Sequence, residues 1–215
     1  LREKELNETP EYFDSNFFVS VVNIEENGAQ SEGKTPYVLP PGIQRDIDNT
    51  SPIYRERNEQ SMVLCVDDLQ DGDARAVFKN TTLDLINYGR LKMFIHAESQ
   101  ENFTDTVTAF IRMGTDFEEN YYEIEVPLVL TPIPSTDPAI IWPTENEIDI
   151  AFDELYALKS LRNRSDFNLD LPFSRPLRQY RISILGRPDL SSVQTMMIGI
   201  RNPRTPDRSP RSLCI

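Results

Sequence analysis

Apolar and polar residues alternate along the middle of the chain, between residues 83 and 129, and this limits the fold more than any other pattern in the sequence. Three consecutive segments carry the alternation: Arg90–Ala97, Thr106–Met113 and Asn120–Val129. A period of two puts alternate side chains on opposite faces of a strand, so one set enters a core and the other faces solvent or a second layer. Residues suited to turns separate the last two segments. The pattern therefore predicts the centre of an antiparallel sheet.

Further strands are predicted on both sides of this centre, where apolar residues again alternate or run together. They cover Phe17–Asn23, Ser61–Val66, Ala74–Lys79, Arg178–Leu185 and Thr195–Arg201, and a last strand opens at Leu213. The segment Arg164–Pro176 is predicted to be a loop.

One helix is predicted, from Thr144 to about Leu161. Thr144 suits the N-cap position, and Glu147 three residues later completes a capping box. Apolar residues then recur at helical spacing: Ile148, Ala151, Phe152, Leu155 and Leu158. Together with the strands, this helix favours a mainly β fold, a jelly-roll-like antiparallel β-sandwich with one inserted α-helix.

The sequence divides at about residue 58. Residues 1–58 include a proline cluster at positions 36, 40, 41 and 52, so they are predicted to form an extended, Pro-rich N-terminal segment that packs on the core. Residues 59–215 are assigned to the β-sandwich domain. The chain has no initiator Met and stops in a strand-like run, which indicates a fragment of a larger protein.

The formal net charge of −13 narrows the choice of partners. It disfavours nucleic acid, because proteins that bind phosphate backbones concentrate positive charge. No apolar run approaches the roughly 20 residues of a membrane-spanning helix, so this part of the protein is not expected to cross a membrane itself.

Signals for catalysis and for cofactors are sparse. The one histidine, His96, lies in a predicted strand, and Glu98 follows on the same face. A packed strand histidine is the commoner situation, and no nucleophile accompanies the pair, so no catalytic residue is assigned and an enzyme is not expected. One histidine and two separate cysteines do not suit a zinc site, and no glycine-rich phosphate loop is present. No cofactor is expected.

An acidic stretch, Asp67–Asp73, is the most suggestive local motif. Four carboxylates surround Gly72, and Asp71 and Asp73 are the candidate ligands for a hard cation such as calcium. The spacing fits no EF-hand loop, and an acidic turn that uses Asp and Gly for backbone reasons explains the stretch as well. The metal assignment stays open.

The two cysteines, Cys65 and Cys214, lie in strand-like runs near the two ends of the β region. Two buried thiols and a disulfide both fit that placement, since spacing alone does not fix geometry. In a jelly roll the first and last strands of the core commonly pair. We therefore predict that Cys65 and Cys214 lie on neighbouring strands and can form a disulfide in an oxidising compartment.

Aromatic residues leave a carbohydrate-binding module of a cell-surface protein open as an alternative function. Phe94 and Phe110 fall opposite the main apolar rows, and Tyr121 and Tyr122 occupy both faces of one strand. Rings exposed on a sheet can stack on sugars, although packing beneath a second layer explains them equally well.

Five ordered blocks of sequence between residues 37 and 214 are recognisable as a family pattern. They are YVLPPGIQRD at 37–46, the run at 58–98 that begins NEQSMVLCVDD, FIRMGTDFEENYYEIEVPL at 110–128, WPTEN at 142–146 and IGIRNP at 198–203. Together they resemble the SprA/Sov family, the very large outer-membrane proteins of gliding and related Bacteroidetes bacteria. The resemblance covers most of the chain.

This resemblance implies that the whole protein is the translocon of the type IX secretion system, a giant β-barrel with large soluble inserts that also serves gliding motility. Its implied partners are the rest of its own barrel chain, other secretion-system subunits and secreted cargo proteins. The present segment lacks consecutive strands of about ten residues with an apolar outer face, so it is expected to be a soluble insert. We expect this insert to be exposed at the cell surface, with a structural or protein-binding role and no catalytic motif.

Overall fold

The computed structural model describes residues 16–29, 35–48, 50, 55–101, 107–204 and 209–215. Within them lie eleven strands and three helices. The strands are β1 (Asn16–Asn23), β2 (Gln60–Leu69), β3 (Ala74–Leu83), β4 (Arg90–Met93), β5 (Thr108–Gly114), β6 (Tyr121–Pro127), β7 (Ile148–Ala151), β8 (Phe173–Leu177), β9 (Tyr180–Leu185), β10 (Val193–Arg201) and β11 (Arg211–Cys214). The helices are α1 (Ile24–Asn27), α2 (Pro138–Ile141) and α3 (Phe152–Arg164).

The strands of the described residues form three sheets. The largest has six strands in the order β3-β10-β5-β6-β9-β8, the second has the order β1-β2-β11, and β4 pairs with β7 in the third. Every pairing between these strands is antiparallel. The prediction of a mainly β, antiparallel fold is confirmed.

The main core lies between the six-stranded sheet and the two smaller sheets. Strand register explains which side chains enter it: Ile111 of β5 lies opposite both Ile124 of β6 and Ile198 of β10, so all three point to one face. The other elements contribute buried residues from the opposite side: Leu64, Val66, Leu69, Ile148, Ile150, Leu155 and Leu213. Removing these apolar surfaces from water is what holds the layers together.

The predicted strand Arg90–Ala97 is only half correct, because β4 ends at Met93. Beyond that point the backbone forms no continuous ladder: the amide of Thr131 donates to the carbonyl of Ala97 at 2.7 Å, and Glu98 makes an isolated bridge with Cys214 of β11. The alternation persists, since Ile95 and Ala97 are both buried. In the next predicted strand Thr106 lies outside the described residues, and β5 runs from Thr108 to Gly114.

The segment predicted as a loop, Arg164–Pro176, contains part of a strand. Phe173–Leu177 forms β8, which pairs with β9 through a two-residue turn and places Phe173 opposite Ile184. This strand contains Pro176, and it is the outermost strand of its sheet. Proline is tolerated at such an edge because one side of the strand makes no ladder hydrogen bonds.

The predicted helix begins eight residues too early. Residues 144–146 form a turn, Ile148–Ala151 forms β7 against β4, and α3 starts only at Phe152. Ile148 and Ile150 of β7 are both buried. The apolar residues that were predicted to form one face of a helix therefore belong partly to β7 and partly to α3. At the true start the Glu154 carboxylate accepts a 2.9 Å hydrogen bond from the amide of Ala151. The helices α1 and α2 have four residues each.

Part of the predicted N-terminal segment joins a sheet. β1 pairs along its length with β2, as the predicted strand Phe17–Asn23 requires. Further on, Tyr37 packs edge-on against Trp142, and the indole Nε1 donates to the Val38 carbonyl at 2.9 Å. The hydroxyl groups of Tyr37 and Ser61 are 2.9 Å apart. These contacts attach the segment to β2 and to the loop after α2, while residues 1–15, 30–34, 49 and 51–54 lie outside the described part.

Candidate functional site

The two cysteines are brought together. Cys214 of β11 lies directly opposite Cys65 of β2, with 4.1 Å between their Cα atoms. Their sulfur atoms are bonded in a disulfide that closes a sequence separation of 149 residues. Because β2 is the central strand of its sheet, the bond ties the last strand of the chain to the middle of that sheet.

The acidic stretch is divided between a strand and a turn. β2 continues through residue 69, and the turn itself contains Asp71, Gly72 and Asp73. Gly72 has φ +83°, a conformation that favours glycine, and its amide donates to the Asn202 carbonyl at 2.8 Å. The Asp73 carboxylate lies 3.5 Å from Arg75. Among the described residues no group of three or more His, Cys, Asp or Glu side chains is arranged to hold a metal ion.

His96 lies in the extended segment after β4 and is fixed by several polar contacts. Its Nδ1 is 2.9 Å from the Ile141 carbonyl and 3.2 Å from the Thr131 hydroxyl, and Nε2 is 3.4 Å from the Glu98 carboxylate. The hydrogen bond with His96 holds the pKa of Glu98 below its ordinary value, against the effect of burial. The ring also lies 6.0 Å from that of Trp142. These contacts anchor the loop that carries α2.

The four aromatic residues considered for sugar stacking lie in separate environments. Tyr122 belongs to the main core and Phe110 is buried on the other face of the six-stranded sheet. Phe94 packs 6.5 Å from Trp142, and the Arg112 guanidinium covers the ring of Tyr121 at 3.9 Å. The four rings do not form one platform.

The second face of the six-stranded sheet carries a buried network of charged side chains. Arg112 of β5 lies opposite Glu123 of β6, and its Nε and Nη2 donate to Oε2 of that carboxylate at 3.0 and 2.6 Å. Arg201 of β10 approaches from the other side, with Nη1 3.2 Å from Oε1 and Nη2 3.2 Å from Oε2. Glu123 is therefore held between two guanidinium groups.

Glu125 extends this network to the next strand. It accepts hydrogen bonds from Thr108 Oγ1 at 2.6 Å and from Arg181 Nε at 2.8 Å, and it lies 3.0 Å from Arg201 Nη1. The Arg201 guanidinium also lies 4.7 Å from the ring centroid of Phe110. The network thus links β5, β6, β9 and β10 in one register through their side chains.

The neighbouring arginines determine the ionisation state of Glu123. Burial by itself would raise the pKa of Glu123, but the positive charges and hydrogen bonds of Arg201 and Arg112 outweigh burial and hold it below its ordinary value. Glu123 is therefore ionised at neutral pH. A buried carboxylate paired in this way is suited to a structural role, since its hydrogen-bonding capacity is directed at its own fold.

The strand β1 is the candidate interaction surface. It forms one edge of its sheet, and within the described residues its strand partner is β2 alone. Its apolar side chains are exposed, with 59% of Phe18, 52% of Val19 and 59% of Val21 accessible to solvent. Met62 of β2, which lies opposite Val21, is 42% exposed. Val19, Val21 and Met62 lie on one face of the sheet and we call them the β1 patch, whereas Phe18 lies on the opposite face. An edge strand with exposed apolar side chains offers a partner both backbone groups and apolar surface.

Three further findings concern membrane-spanning helices and similarity to known proteins. No helix among the described residues combines the length and apolar character needed to span a membrane. A family model, SprA_N, described as motility related/secretion protein, matches residues 2–215. The chain belongs to this family. A comparison of this SprA_N chain with curated proteins gave no match.

Sequence reasoning missed two features of this SprA_N domain. The first is the charged network, although Arg112 and Glu123 each stand on the polar face of a predicted strand, a signal that becomes informative once the two strands are aligned in register. The second is the β1 patch, because Val19 and Val21 show the alternation expected of a half-buried strand. Local periodicity distinguishes the two faces of a strand but does not say which neighbour covers them.

Proposed function

We propose that this SprA_N chain is a non-enzymatic domain of a giant outer-membrane translocon for type IX protein secretion and gliding motility, with a structural or protein-binding role. Membership of a motility-related and secretion-protein family supports the setting. The ordered blocks that resemble the SprA/Sov family support the more specific assignment to a translocon. In this proposal the domain is a soluble portion of the protein exposed at the cell surface.

The β1 patch is the observation that carries the protein-binding role. Val19 and Val21 are 52% and 59% exposed on a strand whose outer edge has no strand partner among the described residues. A second chain can extend such a sheet by adding a strand, because backbone hydrogen bonds give affinity and alternate side chains give specificity. The proposed partners are other parts of the full-length barrel chain, other secretion-system subunits and secreted cargo proteins.

The test replaces Val19 and Val21 together by glutamate in the full-length protein expressed in its own cells. We expect secreted cargo and gliding to fall while the amount of the protein in the envelope stays normal, because two charges on the edge oppose strand addition. The matched control is Ser20→Glu, which places one charge on the opposite face of the same strand. Normal secretion and gliding in the double variant would refute the protein-binding role of this patch.

The non-enzymatic part of the proposal has its own test. The polar contacts of His96 are a carbonyl, a hydroxyl and the Glu98 carboxylate, and contacts of this kind support a structural role for the ring. We expect no turnover of ester, peptide or glycoside substrates by the purified chain. Hydrolysis that disappears in His96→Ala would contradict this expectation.

A further inference from the structure

A pocket of about 620 Å³ opens beside the C-terminal half of α3. Its wall is formed by the last turns of that helix, by the loop that leads to β8, and by the loop after β9. Three of the lining residues are cationic, Lys159, Arg162 and Arg187, and one, Asp166, is anionic. In a chain with a net charge of −13, three cations against one carboxylate are a local reversal of sign.

Helix α3 supplies Lys159 and Arg162, and the loop after β9 supplies Arg187. Lys159 and Arg162 are three residues apart in α3, so they project from the same face of the helix. The Lys159 ammonium group donates to the Pro188 carbonyl at 2.6 Å, which ties the helix to the loop after β9. In that loop the backbone amide of Arg187 donates to the Asn120 side chain at 2.8 Å. Arg187 itself is an exposed residue. The three positive residues therefore line one pocket.

Arg162 is the most unusual member of the group. Only 1% of it is exposed, which makes it one of the largest fully buried side chains among the described residues. Its Nε and Nη2 donate to the Asn163 side chain at 3.3 and 3.2 Å, whereas Nη1 has no hydrogen-bond partner within the described part of the chain. The buried hydroxyl of Tyr122 also lacks a described partner. A buried guanidinium without an anion is costly, so an acceptor at this point would be strongly favoured.

Electrostatics supports the same conclusion. Burial lowers the pKa of Arg162, and the nearby charge of Arg187 lowers it further against an opposing effect of Tyr122. Burial likewise lowers the pKa of Lys159, and Arg162 contributes repulsion, while Asp189 attracts from a distance. No ion pair among the described residues includes Lys159, Arg162 or Arg187. An anion in the pocket would relieve repulsion among all three.

Complementing the helix dipole does not explain the arrangement. Cations in a last helical turn stabilise its negative end, and Arg162 and Arg164 both have that position. Arg164 does so from the surface, as such residues usually do. The carbonyl of Arg162 is already bonded by the amide and hydroxyl of Ser165, at 3.1 and 2.7 Å. Burial of the Arg162 guanidinium beneath a pocket requires a separate reason.

We propose that this pocket binds the phosphate, sulfate or carboxylate group of a small molecule. The Arg162 guanidinium forms the floor of the site, and Lys159 and Arg187 supply positive charge at its sides. Guanidinium groups match the oxygens of such anions with two parallel donors. The apolar side chains of Phe167 and Leu169 line the same pocket, and its volume suits a small organic molecule that carries the anionic group.

The test measures binding by titration calorimetry on the 215-residue chain, with inorganic phosphate, sulfate, phenyl phosphate and benzoate at constant ionic strength. We expect saturable binding of at least one anion. Replacing Arg187 by glutamine should weaken that binding about tenfold, since one charge-assisted hydrogen bond to the ligand is lost. Lys159→Gln should act in the same direction. Arg164→Gln is the matched control, because it removes one positive charge from the same helix outside the pocket, and it should bind as the wild type does.

The comparison among anions identifies the group and its source. Tighter binding of phenyl phosphate than of inorganic phosphate supports an organic ligand that uses the Phe167 wall, whereas equal binding supports the free oxyanion. Tightest binding of benzoate supports a carboxylate. Absence of saturable binding by all four probes would overturn the proposal, and so would equal weakening by Arg164→Gln and Arg187→Gln. This test is independent of the secretion and gliding test, because no residue of the β1 patch lines the pocket.

Discussion

Replacing Glu123 by glutamine should destabilise the fold strongly, although the two side chains have nearly the same shape. Glu123 is 5% exposed, and its carboxylate accepts hydrogen bonds from both Arg112 and Arg201. Glutamine would turn an amide donor towards these donors and remove the negative charge between them. Removing one partner of a buried ion pair lowers the free energy of unfolding by about 3–5 kcal/mol. Since Arg112 keeps the Phe117 carbonyl and Arg201 keeps Glu125, we expect the lower end, about 3 kcal/mol.

The pH dependence gives a second, independent measure of the same interaction. The pKa of Glu123 in the folded protein lies below its value in the unfolded chain, which is about 4.3. A carboxylate of this kind contributes stability that is complete above the unfolded pKa and is lost as the pH falls through the folded pKa. The difference in unfolding free energy between wild type and Glu123→Gln should therefore be greatest near neutral pH. It should shrink as the solution is acidified below about pH 4.

Urea unfolding followed by circular dichroism, at several pH values between about 3 and 7, measures both quantities. Glu118→Gln is the matched control, because Glu118 is an exposed residue of the turn between β5 and β6. It should change the free energy of unfolding by less than about 0.5 kcal/mol at every pH. An unchanged urea midpoint in Glu123→Gln, or a deficit that does not diminish in acid, would refute the account of the network.

Two further predictions concern the disulfide and a close contact between strands. Replacing Cys65 and Cys214 by serine should lower the free energy of unfolding by up to about 5 kcal/mol, the chain-entropy value for so long a loop, and equal urea midpoints with and without the bond would contradict this. Gly199→Ala should cost about 1–3 kcal/mol in the same assay, because a Cβ there would lie 2.6 Å from the ring of Phe110. Gly89→Ala, which meets no atom within 4 Å, is its control and should leave stability nearly unchanged.

Strands whose alternation is set by the main core could be predicted from the sequence. The predicted segment Thr195–Arg201 corresponds to β10, and Asn120–Val129 corresponds to β6 with small differences at the ends. Each of these strands has one face in the core of the six-stranded sheet, so the local pattern and the tertiary environment agree. Where they agree, periodicity is enough to locate an element.

The helix start could not be predicted, because two periodicities overlap in the same residues. Ile148 and Phe152 are four apart, as on one face of a helix, but Ile148 and Ile150 are two apart, as on one face of a strand. The decision depends on β4, whose Leu91 lies opposite Ile150 and whose Lys92 lies opposite Asp149. A partner nearly 60 positions earlier in the chain therefore decides the local conformation, and no local rule contains that information.

The pocket illustrates the same difficulty for function. From the sequence, Lys159 and Arg162 are cations at the negative end of a helix, where positive charge is expected for reasons of stability alone. The structure shows that Arg162 is buried and that Arg187, from the loop after β9, lines the same pocket. These two facts give the cations a reason to bind an anion that helix stability does not supply. A cation at the surface needs no partner, whereas one without solvent needs an anion. Burial, which the sequence does not state, is thus what converts an ordinary helix end into a candidate ligand site.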